Sequence, residues 1–194
     1  MPDPPSNAIH PATLADWHAW LAANHTRAEG VWLITYRSVT GRATFSYEQA
    51  VEEALCFGWI DGHVKTLDDE QGMQWYAPRR VGSVWAKSNK ARVERLIADG
   101  RMTPAGLAKI EAAKANGSWT LLDSVDRLEV PADLAAEFDQ YPAARANFDT
   151  FPRSARHAIL GRIVQAKRPE TRAKRVAETA RLAQENVRAN QWRP

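Results

Sequence analysis

The residues with the most potential for chemistry lie between positions 56 and 89. Asp61, His63 and Lys65 alternate with smaller or apolar residues in the run that begins at Trp59. Because successive side chains of a strand point to opposite faces, this spacing predicts that the three polar groups share one face. A carboxylate held beside a cation can act as a general base or can orient a ligand. Asp61 is therefore a candidate for either role.

A pair of arginines stands near the end of this segment. Arg79 and Arg80 follow a proline and precede Ser83 and Asn89. A guanidinium group binds carboxylate or phosphate through two parallel hydrogen bonds, and a nearby helix start adds N–H donors. The pattern predicts an anion-binding loop. The alternative is that the arginines and Lys65 only form surface ion pairs, each contributing about 0–1 kcal/mol, while Ser83 and Asn89 serve as turn and cap residues.

Tryptophan is abundant, with eight residues in 194. Trp59, Trp75 and Trp85 fall within the same segment, and tryptophan rings often line ligand pockets. Together these patterns predict an aromatic pocket with a cationic cluster that holds a polar or anionic group. The predicted ligand-binding residues are Trp59, Asp61, Lys65, Trp75, Arg79, Arg80, Ser83, Trp85 and Asn89.

Other kinds of site find little support. Cys56 is the only cysteine, so neither an intrachain disulfide nor a cysteine-based zinc site is expected, and its apolar helical setting indicates packing. The five histidines show no metal-binding spacing. Ser83, His63 and Asp61 could be drawn as a triad, but no nucleophile-elbow motif accompanies them. We expect no metal and no cofactor.

The charge distribution is uneven. Residues 1–150 carry a net charge of −5, whereas residues 151–194 carry +8. Residues 79–101 are also rich in Lys and Arg and include Trp85. This basic segment and the basic tail together would suit binding of single-stranded nucleic acid. However, acidic residues are interspersed and no nucleic-acid motif is present, so a small-molecule partner is favoured.

The elements that position these residues can be recognised from capping and turn signals. Thr13 is predicted to cap a helix that begins at Leu14, and Ser46 with Gln49 has the spacing of a capping box. Residues 31–39 have strand composition, and residues 59–78 indicate a hairpin around an acidic turn. Ser88 or Asn89 is predicted to cap the next helix.

The fold class predicted from this order is α+β. We expect a small, mostly antiparallel sheet packed with helices, followed by a helical C-terminal third. The proposed divisions are a flexible leader over 1–12, an α+β domain with the site over 13–120 and a helical region over 121–194, packed as one compact unit. An apolar stripe in the last helix suits packing on a helix or a second subunit, so monomer and homodimer both remain open.

The chain has no apolar run of the roughly 20 residues that a membrane span needs. The first residues have neither a basic start nor an apolar stretch, so a signal peptide is not expected. The sequence predicts a cytoplasmic protein without a membrane partner.

Long motifs give a resemblance to one family. EEALCFGWIDG (52–62), APRR (77–80), RVERLIADGRMTPAGL (92–107) and AKRPETRAKRV (166–176) resemble the YdeI/OmpD-associated proteins, also called OmdA-like or bacteriocin-protection proteins. The resemblance extends over about residues 13–182. One departure is Ala86, which stands where the family pattern has a serine after tryptophan.

The resemblance implies a role in protection or antimicrobial resistance, without implying catalytic residues. With the residue patterns it predicts a small-molecule-binding protein. The alternatives are an enzyme that uses Asp61 as general base in the same pocket and, less favoured, a module that binds nucleic acid or a partner through its basic C-terminal helices.

Overall fold

The computed structural model of the protein describes residues 4–190. A four-stranded sheet is followed by a helical C-terminal region, which confirms the predicted α+β class. The chain divides into two compact units, Met1–Gly117 and Ser118–Pro194. The sheet belongs to the first unit.

The sheet has the strand order β1-β2-β4-β3. Its strands are β1 (Ala8–Ile9), β2 (Val31–Tyr36), β3 (Trp59–Thr66) and β4 (Gln71–Pro78). The β2–β4 and β3–β4 pairs are antiparallel, as predicted, and β1 pairs in parallel with β2. Strand β1 lies within the segment predicted as a flexible leader, of which residues 1–3 lie outside the described part.

A bulge in β3 changes which side chains share a face. Asp61 pairs with Tyr76 and Val64 pairs with Gln74, so two residues, at 62 and 63, oppose one on β4. The extra residue shifts the alternation, and Lys65, opposite Met73, lies on the other face from Asp61. The prediction that Asp61 and Lys65 share a face is therefore wrong.

One face of the sheet packs on helices. Helix α1 (Leu14–Asn24) begins at the predicted cap Thr13, which forms a capping box with Asp16, and helix α2 (Tyr47–Cys56) begins with the predicted capping box at Ser46. The indole Nε1 of Trp17 donates a hydrogen bond to the carbonyl of Ala50 at 3.1 Å and its ring packs edge-on against Tyr76. This contact fixes α1, α2 and β4 around a shared core.

Two further helices complete the first unit. Helix α3 (Lys87–Ala98) begins after Ala86, which makes no side-chain cap, so the predicted cap at Ser88 or Asn89 is wrong. Without a polar cap, α3 is held by ion pairs: Arg92 to Glu48 and Arg95 to Glu52 on α2. Helix α4 (Pro104–Ala115) has the N-cap Thr103, whose hydroxyl accepts from the Gly106 amide.

The opposite face of the sheet carries a smaller apolar cluster of its own. Trp32, Ile34 and Met73 are buried there, and Trp75 and Leu67 pack against them. The Lys65 ammonium lies 5.0 Å from the Trp32 ring centroid. This face is therefore closed by side chains of the sheet and its loops.

The second unit is helical. Its helices are α5 (Asp123–Asp126), α6 (Ala132–Phe138), α7 (Ala144–Thr150), α8 (Arg153–Val164) and α9 (Pro169–Gln184). The predicted apolar stripe of α9 is buried at Val176, Ala180 and Ala183, where α9 packs on α6, α7 and α8. Several arginines of the basic tail are ion-paired, including Arg172 with Asp133 and Arg162 with Glu178. In residues 4–190 no helix is long and apolar enough to span a membrane.

Candidate functional site

Asp61 sits at the centre of a hydrogen-bonded group on the helix-covered side of the sheet. The Tyr47 hydroxyl, at the first turn of α2, donates to Asp61 Oδ2 at 2.8 Å. The side-chain amide of Gln74, on β4, donates to the same oxygen at 3.2 Å. Within the described chain, Asp61 Oδ1 accepts no hydrogen bond and the carboxylate has no ion pair. One carboxylate oxygen is thus free to receive a proton donor.

A cavity of about 590 Å³ opens between β2, β4 and the start of α2. Tyr47 and Gln74 line the cavity. Asp61 is not a lining residue, but it accepts hydrogen bonds from both of them. The wall combines aromatic rings with hydroxyl and amide groups and has no charged side chain. Its residues are Leu33, Thr35, Tyr36, Ser38, Ala43, Thr44, Phe45, Ser46, Tyr47, Gln49, Ala50, Gln74 and Tyr76.

Tyr76 is the buried polar group of this wall. Its side chain is 1% exposed, and its hydroxyl makes no hydrogen bond to any residue in 4–190. Burial, reinforced by the charge of Asp61, raises the pKa of the Tyr76 phenol, which is neutral at physiological pH. Because Tyr76 lines the cavity, its hydroxyl is available to a bound polar group as donor or as acceptor.

Some polar groups of the cavity wall already donate their protons to other residues of the protein, and this decides whether they can donate to a ligand or only accept from it. The Tyr47 proton is directed at Asp61, so its oxygen faces a ligand as an acceptor. The Gln74 amide nitrogen also bonds Asp61, which leaves its carbonyl oxygen available. Thr44 donates its hydroxyl proton to the Ala12 carbonyl at 2.6 Å. The cavity therefore offers several acceptors to a ligand that carries N–H or O–H donors.

The surroundings keep Tyr47 protonated. Its ring is 52% exposed at the edge of the cavity. Partial burial of the phenol raises its pKa, and the hydrogen bond to Asp61 and the Asp61 charge raise it further. Tyr47 is thus a neutral hydrogen-bonding group at physiological pH, with no tendency to act as a phenolate base.

Arg92 lies beside this group, on α3. It forms a two-point ion pair with Glu48, with nitrogen–oxygen distances of 2.9 and 2.6 Å, and donates to the Asn89 side-chain oxygen at 2.7 Å. This pair lowers the pKa of Glu48 and keeps its carboxylate charged. Asn89, a predicted ligand-binding residue, therefore orients Arg92.

The structure separates the predicted tryptophans. Trp59 is buried, donates its indole N–H to the His25 carbonyl at 3.0 Å and packs edge-on against Trp20. Trp75 lies on the other face of the sheet, with its ring centroid 5.3 Å from that of Trp32. The two rings are consequently not walls of one pocket.

Arg79 and Trp85 form a separate pair. The Arg79 guanidinium carbon lies 3.6 Å from the Trp85 ring centroid, and both side chains are buried. Arg80 is exposed, and the Ser83 amide donates to the Arg80 carbonyl in a turn at 3.1 Å. The charge of Asp61 acts on Arg79 through space, without a direct ion pair. The structure thus brings Arg79, Arg80, Ser83 and Trp85 into one loop, apart from Lys65.

Cys56 and His63 are held in packing contacts. Cys56 is buried, and burial raises the pKa of its thiol to about 11, so it is protonated at neutral pH. His63 contacts the rings of Trp32 and Trp75. Residues 4–190 contain no group of histidine, cysteine and carboxylate side chains suited to a metal ion.

None of the predicted ligand-binding residues lines the cavity, and sequence reasoning missed the three polar lining residues nearest Asp61: Tyr47, Gln74 and Tyr76. Gln74 and Tyr76 belong to the predicted hairpin, and a correct register would have placed them beside Asp61. Tyr47 follows the predicted cap Ser46, so its place at a helix start was foreseeable. Its contact with β3, 14 positions away, depends on the packing of α2.

Two family models match the chain, each over a different part of the sequence. Residues 9–109, which contain the cavity, match the family described as "Domain of unknown function (DUF8412)". This match covers more than half of the sequence. The chain belongs to the DUF8412 family. Its residues 127–186 match the family described as "Bacteriocin-protection, YdeI or OmpD-Associated".

The second match confirms the predicted resemblance in the C-terminal part of the chain. The motifs at 52–62 and 77–80 fall within the DUF8412 match instead. Comparison with curated proteins and with solved structures gave no match.

Proposed function

We propose that this protein binds a small polar molecule in the cavity between β2, β4 and α2. The observation that carries the proposal is the Tyr76 hydroxyl, which has no hydrogen-bond partner in the described structure and belongs to a residue that lines a cavity of about 590 Å³. That volume lies within the range of small-molecule sites. Aromatic walls with a few polar groups are also the usual composition of such sites.

The polarity of the wall favours a ligand with hydrogen-bond donors. Tyr47, Gln74 and Thr44 present acceptors because their nearest protons are used by Asp61 and the Ala12 carbonyl. Asp61 adds a negative charge without a direct ion pair. A neutral amide or a cationic amidine satisfies these acceptors and can also accept from the Tyr76 hydroxyl, whereas the nearby charge of Asp61 disfavours a carboxylate. For this cavity we therefore propose a neutral or cationic ligand, whereas the sequence predicted a ligand with a polar or anionic group.

The biological role we propose is protection against a toxic small molecule by sequestration in the cytoplasm. It is supported by the bacteriocin-protection family that matches residues 127–186. A binding protein needs no catalytic group, which agrees with a cavity wall that contains no charged or nucleophilic side chain apart from hydroxyls.

An enzyme that uses Asp61 as general base is a second candidate. It is favoured by Asp61 Oδ1, which accepts no hydrogen bond within the described chain. Asp61→Asn separates the two: it keeps the shape of the group and removes the base. An enzyme would lose turnover and keep binding, whereas a binding protein would show only altered affinity.

The experiment uses three probes with one ring and different charge: benzamide, benzamidine and benzoate. Each is titrated into the ¹⁵N-labelled full chain, and amide and side-chain signals are followed by NMR. We expect benzamide or benzamidine to shift the Gln74 side-chain amide saturably, with weaker binding in Tyr76→Phe. No saturable shift of that signal with either probe would contradict the proposed function.

A further inference from the structure

Arg79 is a buried cation without a direct ionic partner. Its side chain is 5% exposed, and no carboxylate of residues 4–190 forms an ion pair with it. Its Nη1 reaches the Val84 carbonyl at 3.3 Å, while its Nε is buried and has no hydrogen-bond partner. A buried charge is normally paired, because removing it from water is costly.

The surroundings offset this cost only in part. The Trp85 ring lies under the guanidinium group at 3.6 Å, an attractive contact that leaves the N–H donors unused. Burial lowers the pKa of Arg79 to about 10, and the charge of Asp61 opposes this effect. Arg79 is therefore still cationic at neutral pH, and its Nε–H lacks an acceptor.

A cleft of about 400 Å³ adjoins this arginine at the end of the sheet. Trp75, Ala77 and Pro78 supply apolar wall, and the exposed Arg80 adds a second positive charge. Glu29 is the one carboxylate among its described lining residues, so positive charge prevails. The cleft shares no lining residue with the cavity beside Tyr47.

We infer that this cleft is a second binding site, which takes an oxyanion, carboxylate or phosphate, attached to a flat apolar body, with Arg79 as the principal cationic group. A planar fork of donors suits such an oxyanion, and the indole of Trp75 suits an attached ring. The inference does not depend on the proposed function, because the two sites differ in residues and in the charge of the ligand.

The test measures the thermal unfolding midpoint of the full chain with benzoate, inorganic phosphate or chloride at constant ionic strength. We expect a saturable rise with benzoate that chloride does not produce. The rise should vanish in Arg79→Met. In Arg79→Lys, which keeps the charge but loses the planar pair of N–H donors, benzoate should bind about tenfold more weakly. Arg145→Met, which alters an exposed ion pair with Asp149 in the second unit, should retain it.

Tyr76→Phe separates this inference from the proposed function, since it weakens the other site and should leave the benzoate effect in place. A direct reading that needs no variant is the Arg79 Nε–H signal in an NMR spectrum of the wild-type chain, which should shift with benzoate. A rise with phosphate alone would overturn the apolar part of the inferred ligand. Equal effects of all three anions, or a full effect in Arg79→Met, would overturn the site.

Discussion

The hydroxyl of Tyr47 donates to Asp61 Oδ2 at 2.8 Å and links the start of α2 to β3. This bond has two consequences. It uses the Tyr47 proton, so that the phenol oxygen can only accept from a ligand, and it leaves Asp61 Oδ1 without a partner in the described chain. The Tyr47–Asp61 pair therefore makes the edge of the cavity an acceptor of hydrogen bonds.

Replacing Tyr47 by phenylalanine removes this bond while keeping the ring. Because Tyr47 is half exposed, we expect the free energy of unfolding to fall by less than about 1 kcal/mol, whereas benzamidine should bind about tenfold more weakly. Calorimetry measures the affinity and urea unfolding the stability. Tyr141→Phe is the control, because the Tyr141 hydroxyl has no hydrogen bond to a described residue. Unchanged affinity in Tyr47→Phe would show that the ligand does not use this oxygen.

The ionisation of Tyr47 should respond to Asp61. Partial burial, the Asp61 hydrogen bond and the Asp61 charge all raise the Tyr47 pKa above its ordinary value. In Asp61→Asn the charge effect disappears, the hydrogen bond to a neutral amide oxygen is weaker and the burial effect stays, so the Tyr47 pKa should fall but remain above that of free tyrosine. Titration of the ¹³C-labelled tyrosine ring carbons by NMR measures this. An unchanged Tyr47 pKa would mean that the pair does not persist in solution.

Cys56 should make stability depend on alkaline pH. Burial raises the folded pKa of the thiol to about 11, against about 8.5 in an unfolded chain. The thiol therefore stabilises the fold fully below about pH 8.5. This contribution decreases as the pH rises toward the folded pKa, and about 2 kcal/mol of it is lost at about pH 10.

The measurement is urea unfolding at neutral pH and near pH 10 for the wild type and Cys56→Ala. Tyrosine ionisation affects both proteins alike, so the wild type should lose about 2 kcal/mol more than the variant. The native thiol should also be inert to a disulfide reagent that modifies it readily in urea. Equal losses in the two proteins would contradict the raised pKa.

Gly106 should tolerate no side chain. A Cβ at this position would lie 2.3 Å from the Cys56 carbonyl oxygen, where α4 meets the end of α2. We expect Gly106→Ala to reduce the free energy of unfolding by about 3 kcal/mol, because backbone must move. Gly72→Ala is the control, since its Cβ would approach nothing closer than the Lys65 carbonyl at 3.7 Å. If both variants unfold at the same urea concentration, α4 does not approach α2 this closely.

Local signals in the sequence were enough for much of the fold. The capping boxes at Thr13 and Ser46 are each set by residues three positions apart, so they could be recognised without tertiary information. The hairpin over 59–78 was likewise marked by its acidic turn, where Asp68 accepts hydrogen bonds from the amides of Glu70 and Gln71.

The candidate site was less predictable because it depends on register. Gly62 signals a possible bulge, but whether it shifts the alternation is decided by how Trp75 packs on it; a Cβ there would lie 3.1 Å from that ring. That shift puts Asp61 with Gln74 and Tyr76 and moves Lys65 to the opposite face. The sequence pattern singled out Asp61, while its hydrogen-bond partners required tertiary structure.

The most direct test of the central claim is the position of a bound probe relative to Tyr76. Intermolecular NOEs between benzamide or benzamidine and the aromatic rings of the ¹³C-labelled full chain report it at atomic distance. We expect contacts from the probe ring to Tyr47 and Tyr76, with loss of those contacts at equal probe concentration in Tyr76→Phe. Contacts confined to Trp75 and the Arg79 cleft, or no contact to either tyrosine, would contradict the assignment of this cavity as the binding site.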